Sequence, residues 1–426
     1  VNTQSQIWNR KTIAWYLYDF GRAFLSTNGI VYFSQWLILD QGIADFWLSL
    51  TFIISTLCVV LLSPYIGALT DEQKSYQMRL LWIFTIATFF SAILVQIVGV
   101  KTNPANAHIT IAFSLILYGI FNALYLFAFF IYNTYLQGFT DSVSLGRVSG
   151  IGLAFQMIGS ILGLVATLPI INGSLSIFGV GYIYVFVPSA LLFLILSMPL
   201  LSISLKENRN MQKLSKSHRK LYEIYQNIWR DIRDSKSHPG IAKLLMILYF
   251  LGAAIFTLQL FSAIYLDRVI GATDSYKVAM LTTALAAVTV GAISGGFLAD
   301  RYGRKRILLW SLLFAGLATA GISFAKSMAT YPIFFGTFGL FVGMAFATVR
   351  ALFAEIAPQK KNAEFFGLYS LSERSASVFG PILWSVVAWS VTSTNALNYR
   401  ASVFSLAILL FIAAAITTRL DTRKIL

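Results

Sequence analysis

Apolar runs of roughly twenty residues or more recur along nearly the whole chain, broken by short polar stretches. That is the length a helix needs to cross the hydrocarbon of a bilayer. Twelve spans are predicted, over about 12–37, 46–70, 77–100, 108–137, 147–171, 180–205, 241–266, 277–299, 306–325, 331–355, 364–392 and 397–419. Only one connection is long, and it separates the first six from the last six. Within it Leu221, Ile224, Tyr225, Ile228 and Ile232 fall at helical spacing among Lys and Arg. The stretch 217–234 is therefore expected to be a basic amphipathic helix on the cytoplasmic surface. The fold class follows: an all-α polytopic membrane protein with two six-helix halves, 1–205 and 241–426, joined by the basic linker 206–240.

Composition agrees with the pattern. Apolar residues make up 57% of the 426 positions and charged residues 12%. A soluble chain of this length needs far more charge to cover its surface. The net charge is +15, yet the basic residues punctuate the spans instead of gathering on one face, which excludes a nucleic-acid partner. One cysteine, Cys58, rules out a disulfide framework, and His108, His218 and His238 form no cluster, so no metal site and no cofactor are expected. No nucleophile–base pair appears in the spans and no phosphate-binding loop appears anywhere, so the chain is read as neither an enzyme nor a primary pump. The N-terminal residues enter the first span directly, without the form of a cleavable signal peptide.

Charge also gives orientation. With both termini inside, the outer loops hold Lys101, Arg268, Lys277, Lys326 and Arg400, and the inner loops and tails about 25 Lys and Arg. Cytoplasmic termini follow. Short loops fit a bacterial inner membrane. Asn172-Gly173-Ser174 matches a glycosylation sequon outside, so a vacuolar or lysosomal membrane is the alternative.

Between spans eight and nine runs Gly296-Phe297-Leu298-Ala299-Asp300-Arg301-Tyr302-Gly303-Arg304-Lys305-Arg306. Between spans two and three Gly67, Leu69 and Asp71 repeat its opening, 229 positions earlier. This resembles the loop signature of the major facilitator superfamily, once per half. The first span reads Trp15-Tyr16-Leu17-Tyr18-Asp19-Phe20-Gly21-Arg22. Later come Tyr132-Asn133-Thr134-Tyr135, Gly146-Arg147-Val148-Ser149-Gly150, Arg350-Ala351-Leu352-Phe353, Glu364-Phe365-Phe366-Gly367 and Gly380-Pro381. Together these resemble the vacuole-effluxer branch, the autophagy-related amino-acid effluxers and their bacterial relatives. The chain departs from that branch where Arg22 replaces an Asn and Ala23 a Ser. It also lacks an acid after Tyr249. The resemblance implies two halves rocking about a central site. It further implies a gating role for Gly67, Asp71, Gly296, Asp300, Arg301, Gly303 and Arg304, with the Asp300 carboxylate meeting Arg304 or a helix N-terminus.

Ionisable groups inside a bilayer are costly and point to function. Four stand well inside spans: Asp19 and Arg22 in the first, Glu373 and Arg374 in the eleventh. Three residues apart, Asp19 and Arg22 share a helix face. Arg22 could bind an anion and Asp19 a proton or cation, or the two could form a structural pair. Glu373 and Arg374 point about 100° apart. Arg374 with Arg22 would make an anion clamp, or a gate if Arg374 pairs with an acid instead. Asn122, Asn133 and Gln259, like Asn28, Gln35 and Gln156, are polar amides at depth, able to bind ligand or to join helices. Tyr18, Tyr132 and Tyr249 offer rings with a hydroxyl. Gly152, Gly159, Gly163, Gly291, Gly295 and Gly296 are expected to form sliding surfaces between the halves. Gly380-Pro381 should break span eleven, and Pro64 and Pro188 bend spans two and six.

The expected function is secondary transport of a small polar or anionic metabolite, such as an amino acid, by alternating access. Proton coupling would run through Asp19 or Glu373, and the resemblance implies export by a monomer. A polycarboxylate or organophosphate carrier is the second reading, and a transporter-like receptor without flux the third.

Overall fold

The computed structural model describes residues 8–72, 74–102, 106–136, 142–209, 239–356, 362–391 and 396–420. The predicted linker helix 217–234 lies outside the described residues. Among the described residues there are twelve long helices and no strand. They are α1 (Arg10–Gln35), α2 (Asp45–Glu72), α3 (Lys74–Val100), α4 (Ala107–Leu136), α5 (Ser142–Ile171), α6 (Phe186–Arg209), α7 (Pro239–Ile270), α8 (Asp274–Tyr302), α9 (Arg304–Phe324), α10 (Tyr331–Ile356), α11 (Asn362–Ser390) and α12 (Leu397–Thr418). Each coincides with one predicted span. Ten are long and apolar enough to cross a membrane. The other two are α1 and α11, the helices that carry Asp19, Arg22, Glu373 and Arg374.

Local chemistry fixes the ends. Asn9 caps α1: its Oδ1 accepts from the Lys11 and Thr12 amides at 2.8 Å, and the Thr12 hydroxyl accepts from the Asn9 amide. At its other end α1 widens into a π turn, Trp36–Asp40, before Gly42 reverses the chain at φ +67°. Thr273 caps α8 through its side chain. The last carbonyls of α12 receive two lysines: Lys243 donates to Arg419 O, and Lys305 to Thr418 O and Leu420 O. Cations there also meet the negative end of the helix dipole.

The chain forms two compact units, Val1–Ile43 with Ile54–Ile224, and Ala44–Ile53 with Tyr225–Leu426. In the first, α5 lies on α1 at very close range. A Cβ at Gly159 would stand 2.4 Å from the Phe20 carbonyl oxygen, and one at Gly163 3.1 Å from that of Phe24. In the second, α8 and α10 press together: a Cβ at Gly291 would meet Leu340 O at 1.9 Å, and one at Gly343 would meet Val288 O at 2.1 Å.

These contacts correct the expectation of sliding surfaces between halves. Except for Gly296, which has open space beside it, the named glycines seal neighbouring helices within one unit. Two proline expectations also change. Pro381 sits inside a continuous α11, and Gly380 beside it lets that helix press on the Ala253 carbonyl of α7. Pro188 falls in the first turn of α6, where its missing amide costs no helical bond. Pro64 lies among the side chains outside the description.

Candidate functional site

Asp19 and Arg22 lie one turn apart on α1, both almost fully buried, at 4% and 2% exposure. Arg22 Nε donates to Asp19 Oδ1 at 2.7 Å. Nη2 stands 2.6 Å from the same oxygen, off the line of a hydrogen bond. Nη1 donates to the Tyr125 hydroxyl of α4. The guanidinium lies over the Phe129 ring, 3.9 Å from its centroid, and 5.5 Å from that of Tyr125. A planar, weakly hydrated cation suits such an aromatic wall. Tyr132 lies beside the Asp19–Arg22 pair, and its hydroxyl donates to the Trp15 carbonyl at 3.2 Å. Its ring stacks on Trp15 at 4.6 Å and on Tyr18 at 5.0 Å. The Tyr18 hydroxyl is itself engaged with Thr85, at 2.9 Å.

The pair is therefore a sealed, mutually neutralised charge in an aromatic box made by α1 and α4. Such a pair gains its Coulomb energy only by holding this geometry, and losing one partner strands the other. Nε and Nη1 are engaged by Asp19 and Tyr125, and Nη2, which makes no hydrogen bond, is the donor left for an anion. A proton on Asp19 would loosen the guanidinium.

In the second unit Glu373 and Arg374 sit mid-way along α11. Glu373 is exposed and Arg374 half-buried. Glu373 makes no ion pair or hydrogen bond among the described residues. Arg350 of α10 acts on it and on Tyr369 through its charge. A carboxylate mid-way along a spanning helix is costly against lipid, which keeps Glu373 a functional candidate.

The amides divide. Asn122 donates to Ser55 Oγ at 2.7 Å, tying α4 to α2. Asn28 donates to Ser189 and accepts from Thr167, joining α1, α6 and α5. Asn133 is exposed near the end of α4, and Gln259 is half-buried on α7.

The second signature forms a charge relay at the α8–α9 turn. Gly303 makes the turn at φ +92°, a backbone that favours glycine. Arg304 bonds Asp300 at 3.3 Å and Glu355 of α10 at 2.8 Å. Lys305 belongs to the α12 end. Arg301 is exposed and lies over the Tyr302 ring. A pocket of about 660 Å³ opens among Asp300, Gly303, Arg304, Arg306 and Glu355. Gly67 and Asp71 fall in the last turns of α2, and their side chains lie outside the description.

Sequence reasoning missed Phe129 and Glu355. Phe129 is one helical turn beyond Tyr125 on α4, a spacing that could have marked it. Nothing local marks Glu355 as the partner of Arg304.

The family pattern called Major Facilitator Superfamily matches residues 162–381 and 245–424, together more than half of the chain. The chain belongs to the Major Facilitator Superfamily. This is a superfamily of transporters, not of enzymes. The uncharacterized MFS-type transporters YqjV and YuxJ of Bacillus subtilis (strain 168) are 27% and 26% identical over 156 and 273 residues. Those stretches are 36% and 62% of this chain, and 37% and 65% of the relatives' own lengths. An uncharacterized protein of Aquifex aeolicus (strain VF5) is 27% identical over 88% of both chains. Among solved structures, the nucleoside transporter NupG superposes with a TM-score of 0.71 at 15% identity, covering 97% of this chain and 99% of that one. A bacterial homolog of the human lysosomal transporter Spinster also gives 0.71, at 14% identity, covering 96% of each. These likenesses establish the major facilitator fold.

Proposed function

We propose that the chain is a secondary active transporter that moves a small polar or anionic metabolite by alternating access. The observation that carries this reading is the sealed Asp19–Arg22 pair, held by Tyr125, Phe129 and Tyr132 on the helix with the greatest concentration of buried polar chemistry. The names of the relatives, MFS-type transporters, support it. Asp19 serves as the proton-coupling acid, Arg22 as the anion receptor once that acid is neutral. Glu373, mid-way along α11 and near the Arg350 charge, is the second coupling candidate, with Arg374 beside it. Tyr18, Asn122, Asn133 and Gln259 are lesser members of the binding and coupling set. Asp300, Arg304 and Glu355 form the cytoplasmic gating relay, with Gly67 and Asp71 as its counterpart. The vacuole-effluxer branch, export, a monomer, two cytoplasmic termini and a bacterial inner membrane complete the reading.

The presence of Arg22 favours a second reading of the substrate, a polycarboxylate or organophosphate in place of an amino acid. Purified protein screened by thermal shift against these three classes decides between them, with proteoliposome flux measured for each binder. Stabilisation by an anion, lost in Arg22→Asn, supports the anion carrier. Stabilisation by a neutral amino acid, kept in Arg22→Asn, returns Arg22 to a structural role. Binding without flux for every ligand overturns the transporter reading in favour of a receptor.

A further inference from the structure

Asp45 opens α2 and is 7% exposed. Trp384 Nε1 of α11 donates to its Oδ2 at 2.9 Å, and the Tyr399 hydroxyl of α12 donates to its Oδ1 at 3.4 Å. One turn on, Ser49 shares a hydrogen bond with Ser385 at 2.8 Å and donates to the Pro381 carbonyl at 3.2 Å. Both side chains lie on one face of α2. Their receiving surface is rigid: the fully buried Trp384 ring stacks on Phe261 of α7 at 4.8 Å, and the Trp384 carbonyl accepts from Ser402 of α12. The first turns of α2, Ala44–Ile53, belong to the second compact unit, whereas the helix from Ile54 onward belongs to the first.

The direct hydrogen-bond donors to Asp45 are neutral. The titratable and charged groups facing it are Tyr399 from α12 and Arg268 from the end of α7, which acts through its charge. α11 contributes Trp384 and no titratable group there. Ionised, Asp45 accepts two hydrogen bonds strengthened by its charge, and it sits at the positive end of its own helix. Protonated, it loses the charge, one acceptor position and the dipole contribution together.

We propose that Asp45 is a proton-operated latch on the outer side: ionised, it holds the first turns of α2 on α11 and α12, and protonated, it releases them. The proposal rests on the transport reading for its purpose, but the docking can be measured without transport.

The test uses the full chain in lipid with Cys58→Ser, so that its exposed native thiol is absent. Spin labels are placed at the exposed positions Phe46 and Leu397. Their distance distribution is recorded at about pH 8 and again after acidification to about pH 4. A longer-distance population that grows about threefold or more on acidification is expected. In Asp45→Asn the longer population should be present at both pH values and should not respond to pH. A distribution unchanged by pH in the chain with Asp45 intact overturns the latch, and that measurement needs no variant at Asp45. An acid response that survives Asp45→Asn overturns Asp45 as its seat. A disulfide between Ser49→Cys and Ser385→Cys should stop flux reversibly, and flux unaffected by it excludes the latch from the cycle. A spin-label response without flux of any solute leaves the latch standing and removes the transport reading.

Discussion

Two nitrogens of Arg22, Nε at 2.7 Å and Nη2 at 2.6 Å, converge on a single oxygen of Asp19 within one turn of α1. Only Nε makes a hydrogen bond there, while Nη1 is committed to Tyr125. The site is thus coupled internally: any event at the carboxylate changes what the guanidinium can hold.

Asp19→Asn should destabilise the protein more than Asp19→Asn combined with Arg22→Asn. The single change strands a buried cation, at a cost of about 3–5 kcal/mol, whereas the double change removes both charges. Thermal unfolding in detergent, read side by side, checks the order. A double variant less stable than the single one would contradict the pairing.

Tyr125→Phe keeps the ring beside Arg22 and removes the hydroxyl that Nη1 engages. Losing a hydrogen bond to a charged group costs about 1.5–3 kcal/mol. A lowered melting temperature is expected, together with a changed pH profile of flux, since Arg22 then leans wholly on Asp19. An unaltered profile would make Tyr125 a packing residue only.

Gly291→Ala and Gly343→Ala should each lower stability by about 1–3 kcal/mol, because the new methyl meets a facing main-chain carbonyl that cannot swing aside. Gly296→Ala has open space and should be neutral. Equal melting temperatures for all three would refute the close α8–α10 seal.

Asp300→Ala and Glu355→Gln should slow flux several-fold, on the order of the loss of a gate contact, while shifting stability by less than about 1 kcal/mol. Both carboxylates are largely exposed, at 71% and 53% of their side chains, so their bonds to Arg304 add little to folding. Unchanged flux would remove the relay from the cycle.

Asn122→Ala deletes a bond between α4 and α2 inside the membrane, where such bonds are worth about 0.6 kcal/mol on average. A small loss of stability with an unchanged ligand preference is the outcome expected of a helix tie. A shifted preference would make Asn122 a binding residue.

The helices were legible because bilayer thickness imposes one length on each span, and hydropathy reports that length directly. Asp19 and Arg22 were legible for the same reason, as charges where apolar residues should be. Tyr125 and Phe129 were not legible as partners of Arg22. More than a hundred positions separate Arg22 from them, and aromatic residues are common in every span. Asp45 escaped notice because an acid in the first turn of a helix is ordinary. Its burial against Trp384 appears only in three dimensions. Glycine spacing located close helix contacts but could not say which helix lay opposite, so contacts inside each unit were read as boundaries between them.

Among the described residues, α1 and α11 are the two long helices that fall short of the apolarity of a self-sufficient span. Each Asp or Arg at mid-helix adds about 2.5–3.5 kcal/mol to the cost of leaving the translocation channel for lipid. For α1 the later arrival of α4, with Tyr125, Phe129 and Tyr132, is what makes lipid habitable for Arg22. Biogenesis of the first unit is therefore not strictly sequential: its first helix gains its full partners only from a sequence synthesised about a hundred residues later.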